Sequence, residues 1–177
     1  MTMTSARDFW EDNSYSLESG EEAFWAAVYK KAFYNLRSQE LCTNREKQRQ
    51  GIDRILYLSN GAVLHVDEKK RREDYPDVLL EYTSCLERDT PGWIEKDLTI
   101  DYLAYAFMPS KRCFLFPWHM LRRAWLKYGE HWKGEHRYVK AKTRVGNDEY
   151  HTVSVAVPTG VLLKAVSTAT IIDVSMP

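Results

Sequence analysis

Two apolar runs, Ile52–Leu58 and Ala62–Val66, flank the tripeptide Ser59-Asn60-Gly61. Asn-Gly between runs of branched and aromatic residues is the strongest short-range signal for a β-hairpin, because both residues tolerate the left-handed backbone of a tight turn. Whatever else the chain contains, it is expected to fold around this hairpin. The second run continues into Asp67-Glu68-Lys69-Lys70-Arg71-Arg72, a density of charge that strands ordinarily avoid. Two readings are open, a solvated exit from the hairpin or a polar site built at its end. Asp53 favours the second, since an acid in an otherwise apolar strand is costly to bury without a partner.

Folding back at Asn60-Gly61 brings Asp53 level with the charged segment, and the turn length decides which acid it meets. A two-residue loop pairs Ser59 with Ala62 and sets Asp53 opposite Glu68, giving Asp53, Glu68 and Lys70. A three-residue loop, with Gly61 left-handed as a bulge, pairs Leu58 with Ala62 and sets Asp53 opposite Asp67, giving Asp53, Asp67 and Lys69. Either set unites two carboxylates and a lysine. Carboxylate oxygens suit Mg²⁺ or Mn²⁺, and a lysine can position water and offset phosphate charge, which together serve phosphodiester hydrolysis.

Around the hairpin, apolar residues from Phe24 to Leu36 recur at helical spacing and predict a helix over Gly20–Ser38, with Ser19 and Glu22 spaced as a capping box. Leu41–Gln50 is polar and fits either an exposed connection or a short edge strand. A strand is expected at Val78–Ser84. Thr90-Pro91-Gly92 looks like a helix start, with Ile94, Leu98, Tyr102 and Tyr105 continuing at helical spacing to Pro109. A strand at Arg112–Phe116, a helix from Pro117 carrying Leu121, Trp125 and Tyr128, a hairpin of His136–Thr143 with Tyr150–Val157, and a short helix after Pro158 complete the chain. Such a mixture predicts a sheet domain of the α/β or α+β class. All 177 residues are expected to form one domain, with 1–18 as a polar arm.

An Asp on one strand, then Asp67-Glu68-Lys69 after the β run Val63–Val66, in a segment ordered αβββαβ from Gly20 to Phe116, resembles the PD-(D/E)XK nuclease superfamily. The resemblance implies an α/β, restriction-endonuclease-like core, a mixed central sheet flanked by helices, with 117–177 as a C-terminal helix and hairpin extension. Arg71, two places beyond Lys69, matches a basic residue frequent in that motif and favours the Asp67 register. On this pattern Asp53, Asp67 and Lys69 are catalytic. Asp53, Asp67 and Glu68, the last through its carbonyl, hold Mg²⁺ or Mn²⁺, and the substrate is DNA in preference to RNA. Glu22 could reach such a site from its helix, although its place after Ser19 assigns it to capping; Glu81 is a candidate third ligand.

Twenty-five basic and twenty-five acidic side chains cancel, so a nucleic-acid partner must be met by a local patch. Lys70, Arg71, Arg122 and Lys127 are the candidates, with Trp118, Trp125 and Trp132 either stacking on bases or filling the core. Three cysteines without CxxC spacing speak against a disulfide framework or a zinc knuckle. No apolar run reaches the roughly 20 residues of a membrane span, and no leader pattern opens the chain, so a cytoplasmic protein is expected. Oligomeric state is open between monomer and homodimer. A second functional reading is a non-catalytic module that retains this fold and binds nucleic acid or a protein.

Overall fold

The computed structural model describes residues 7–8, 19–146 and 148–175. Apart from Arg7 and Asp8, the expected N-terminal arm lies outside the described residues. The elements are β1 (Arg7–Asp8), α1 (Ser19–Ala32), β2 (Leu36–Leu41), α2 (Arg45–Arg49), β3 (Arg54–Leu58), β4 (Val63–Arg71), β5 (Asp77–Cys85), β6 (Thr90–Pro91), β7 (Tyr102–Phe107), β8 (Arg112–Pro117), α3 (Trp118–Glu135), β9 (Tyr138–Val145), β10 (Asp148–Pro158), α4 (Thr159–Ala165) and β11 (Thr170–Asp173). They form an α/β fold with two sheets. One runs β11-β8-β7-β4-β3-β2 and is mixed, β4 and β7 being parallel; the other runs β1-β9-β10-β5-β6. Among the described residues no helix is long and apolar enough to cross a membrane.

Alternation along β3, β4 and β7 divides the six-stranded sheet into two buried faces. Leu56, Val66, Ala104 and Ala106 face α1, whose Phe24, Trp25, Val28 and Tyr29 form the stripe that covers them. Ile55, Leu103, Tyr105 and Phe107 face the other way, against Val78 and Leu80 of β5, Val155 and Val157 of β10, and Leu121, Trp125 and Trp132 of α3. The Tyr105 hydroxyl accepts the Leu79 amide at 3.1 Å and ties the second sheet to this face.

Several elements differ from the sequence expectation. Leu41–Gln50, read as an exposed connection or a short edge strand, carries the short helix α2, started by the Asn44 side chain accepting the Glu46 and Lys47 amides. α1 stops at Ala32, and Leu36–Leu41 becomes an edge strand on β3 rather than the last turn of a helix running to Ser38. The helix expected from Thr90 to Pro109 does not form. Its N-terminal half is β6 and an extended loop that buries Ile94, Leu98 and Ile100, and its C-terminal half is the central strand β7. With both faces covered, a strand loses the alternation that distinguishes it and shows a continuous apolar run instead. Gly92 does not open a helix. A Cβ there would lie 2.2 Å from the Glu81 carbonyl oxygen, so only glycine lets this loop press onto β5, where Gly92 N–H donates to Tyr82 O at 2.9 Å and Ile94 N–H to Glu81 O at 3.2 Å.

Candidate active site

The hairpin β3–β4 is closed by three residues. Leu58 N–H donates to Ala62 O at 2.9 Å, Gly61 N–H to Leu58 O at 3.0 Å, and Gly61 adopts φ +86°, the left-handed conformation that a residue with a side chain resists. From there the register runs Tyr57 opposite Val63, Ile55 opposite His65 and Arg54 opposite Val66. One step further, Asp53 N–H reaches Val66 O at 2.9 Å, so Asp53 stands beside Asp67 and not beside Glu68.

Asp67 is almost wholly buried, at 2 % exposure, and the register sets its side chain beside that of Asp53 on the same face of the hairpin. Lys69 Nζ pairs with Asp67 Oδ1. One Asp53 oxygen, Oδ2, accepts the Glu68 amide at 2.8 Å. Burial and the neighbouring Asp53 charge push the Asp67 carboxyl up to about 7 against the pull of the Lys69 ammonium. Burial pulls the Lys69 pKa down, yet the charges of Asp67 and Asp53 outweigh it and hold the ammonium above its usual range.

Glu81 of β5, in the second sheet, lies near enough for its charge and that of Lys69 to act on one another. Burial raises its pKa, while Lys69, Lys96 and a hydrogen bond from the Trp93 amide pull it back. Lys96 follows the Gly92–Trp93 turn that is pressed onto β5. Sequence reasoning weighed Glu81 but missed Lys96, because it placed Lys96 on a helix; the Pro91-Gly92 pair marked the docked turn.

Lys70 and Glu68 point to the opposite face of β4, as the side-chain period of two requires. Lys70 Nζ grips both Glu21 oxygens at 2.8 and 2.9 Å. The Glu68 carboxylate accepts Arg54 Nε at 2.6 Å and the Tyr29 hydroxyl at 2.8 Å, so its side chain does not join Asp53 and Asp67. Both Glu22 oxygens hold the Arg54 guanidinium, at 2.6 and 2.9 Å, so this helix-borne acid faces the back of the hairpin rather than Asp53 and Asp67. Arg71 returns to the Asp67 side, where its guanidinium lies 4.1 Å from the Tyr75 ring centroid and donates to the Tyr105 hydroxyl at 3.3 Å.

The remaining basic candidates lie on α3. Arg122 donates to the Glu95 carbonyl at 3.0 Å, and Lys127 is exposed with its ammonium 4.8 Å from the Tyr128 ring centroid. Trp118, Trp125 and Trp132 are core residues, each at most 6 % exposed, and present no face for base stacking.

Among the described residues no group of three or more His, Cys, Asp or Glu side chains gathers as a metal cage. The pair Asp53–Asp67 nevertheless suits one class of ion. Mg²⁺ keeps several of its waters and is commonly held by one or two carboxylates together with substrate phosphate, so it does not need a dedicated all-protein cage. Two adjacent acids, one of them raised to about 7, form a site whose repulsion a divalent cation would relieve. Comparison with profiles of known families, with curated proteins and with solved structures gives no match.

Proposed function

We propose that this chain is a metal-dependent phosphodiesterase that acts on nucleic acid, DNA in preference to RNA, with a restriction-endonuclease-like core. The observation that carries the reading is the meeting of Asp53 and Asp67 at the end of the hairpin with Lys69 paired to Asp67. The order of elements supports it. α1 is followed by the antiparallel meander β2-β3-β4, so that Asp53 immediately precedes the second strand of the meander and Asp67 lies on the third, and β7 then lies parallel to β4. The crossover between β4 and β7 departs from an αβββαβ order, because β5, β6 and a loop make it instead of a helix.

Asp53 and Asp67 would hold Mg²⁺ or Mn²⁺, with the Glu68 carbonyl as a further oxygen. The ion's contribution would be to polarise the scissile phosphate and lower the pKa of a bound water. Lys69, held charged among Asp53, Asp67 and Glu81, is placed to neutralise a phosphate oxygen and orient the attacking water. Arg71 and the exposed Lys127 are the proposed backbone contacts; Lys70 and Arg122, engaged by Glu21 and Glu95, contribute less.

The test is cleavage of single-stranded, duplex and branched DNA by the purified chain in Mg²⁺ and in Mn²⁺. The expected result is nicking or degradation that stops in chelator and in Asp53→Asn, while DNA binding survives the substitution. Binding without cleavage on every substrate would move the assignment to a non-catalytic nucleic-acid module.

A further inference from the structure

Arg54 is completely buried, at 0 % exposure, on the α1-facing side of the sheet beside Leu56 and Val66. Its guanidinium is shared by Glu22 of α1, Glu68 of β4 and Gln39 of β2, the last through Nη1 at 3.3 Å. Glu68 is held a second time by Tyr29 of α1. Three elements thus converge on one cation, carried by a fourth, directly behind the candidate site. A buried ionic network is weak evidence for stability, since well-packed apolar residues do as well or better; its best-attested use is to specify register.

Register is what this hairpin most needs. Arg54 pairs with Val66, which places Glu68 on the diagonal within reach of Nε. A slip of one residue would turn one strand's side chains to the other face. It would strand Arg54 away from Glu68 and part Asp53 from Asp67 in the same movement. The two contacts are joined through one residue: the Glu68 carboxylate is fixed on the α1 side, and the Glu68 amide donates to Asp53 Oδ2 on the other.

We infer that Arg54, with Glu22, Glu68 and Tyr29, is a positioning device that locks the β3–β4 register and so holds the Asp53 carboxylate against Asp67. Its importance for activity rests on the reading of Asp53 and Asp67 as the metal-binding pair; the lock itself does not. Glu68, the central residue of the acid-any-Lys motif, therefore acts through its main chain toward the site and through its side chain toward α1.

Native-state hydrogen exchange read by NMR, with Mn²⁺ affinity measured on the same samples, tests this on Arg54→Lys and on the milder Tyr29→Phe. A lysine keeps the charge but loses the fork that bridges Glu22 and Glu68. The Glu68 amide should exchange about tenfold faster in Arg54→Lys and roughly threefold faster in Tyr29→Phe, with the core amides of Leu103 and Phe116 within about twofold of wild type. Mn²⁺ affinity should fall in the same order. Unchanged protection at Glu68, or equal acceleration at all three amides, would overturn the inference and leave the network merely structural. Selective exchange with unaltered Mn²⁺ affinity would overturn its link to the site. If Arg54→Lys does not fold, Tyr29→Phe decides the matter alone. A wild-type chain that binds no Mn²⁺ would remove the proposed function, while the exchange pattern would still decide whether the lock exists.

Discussion

Replacing Asp53 by Asn should stabilise the protein at pH 8 while it removes the proposed activity. Asn preserves the shape and retains an oxygen to accept the Glu68 amide, so the 2.8 Å hydrogen bond survives. What disappears is the like charge beside Asp67. Taking about 4 Å as a representative separation for adjacent like charges, the repulsion is on the order of 4 kcal/mol at an effective dielectric constant near 20, and Lys69 offsets part of this, which leaves a net gain of roughly 1–2 kcal/mol. In a chain of this size that corresponds to a rise of about 2–8 °C in Tm.

The sign with pH follows from Asp67. Its folded pKa, about 7, lies above the ordinary value of 3.8, so between those limits the folded state keeps a proton that the unfolded state has lost. The Asp67 contribution to stability therefore declines as pH rises from about 4 to about 7 and is flat above that. Asp53→Asn weakens one cause of the shift and leaves burial, the larger one, in place. Thermal melts of wild type and variant at pH 5 and pH 8 provide the assay: the variant's advantage should be small at pH 5 and full at pH 8. A variant less stable than wild type by about 1 kcal/mol or more at pH 8 would refute the reasoning, for the two acids would then not be repelling one another.

Proton and cation should compete for the same pair, so calorimetric Mn²⁺ affinity is expected to climb by up to about tenfold per unit of pH below 7 and to level off above it. Lys69→Ala should leave Mn²⁺ affinity within about threefold of wild type but lower the cleavage rate by about a hundredfold or more, since it removes charge stabilisation that develops in the transition state. Glu81→Gln leaves Lys69 with one acid fewer, and a fall in the upper pKa of the cleavage pH profile is the expected readout. Gly92→Ala forces a methyl group to within 2.2 Å of the Glu81 carbonyl; denaturant unfolding should show a loss of about 2 kcal/mol or more, accompanied by slower cleavage.

Sequence patterns carried the hairpin, its polar end and the C-terminal elements because local chemistry determines them. Asn60-Gly61 demanded a turn, and β9–β10 and α4 lie close to their expected positions. The register was open between two turns because Asn-Gly serves both. It is resolved by the left-handed Gly61 and the Leu58–Ala62 pair, which bring Asp53 to Asp67.

What escaped was decided at long range. β7 looked helical because Ile94, Leu98, Tyr102 and Tyr105 fall by coincidence at helical spacing, and its parallel pairing with β4 lies some thirty-five residues away along the chain. The end of α1 escaped because Leu36 is recruited as a partner for Leu58. Arg54 could have been questioned by the argument that singled out Asp53, since both are charges in an apolar strand. Its partners Glu22, Glu68 and Tyr29 come from elements whose apposition no local pattern discloses. The tryptophans of α3 followed the plainer of their two readings and form core.

The central claim, that Asp53 and Asp67 are the acids of a metal-dependent nuclease, is tested most directly by cleavage rates of Asp67→Asn and Glu68→Gln side by side in Mn²⁺ on DNA that the wild type cuts. Asp67→Asn is predicted to lose activity by about a thousandfold or more, the scale expected when a group that stabilises transition-state charge is removed. Glu68→Gln, which keeps an acceptor for Arg54 and Tyr29, is predicted to stay within about tenfold of wild type. The reverse order, or equal activity of both variants with wild type, would contradict the account.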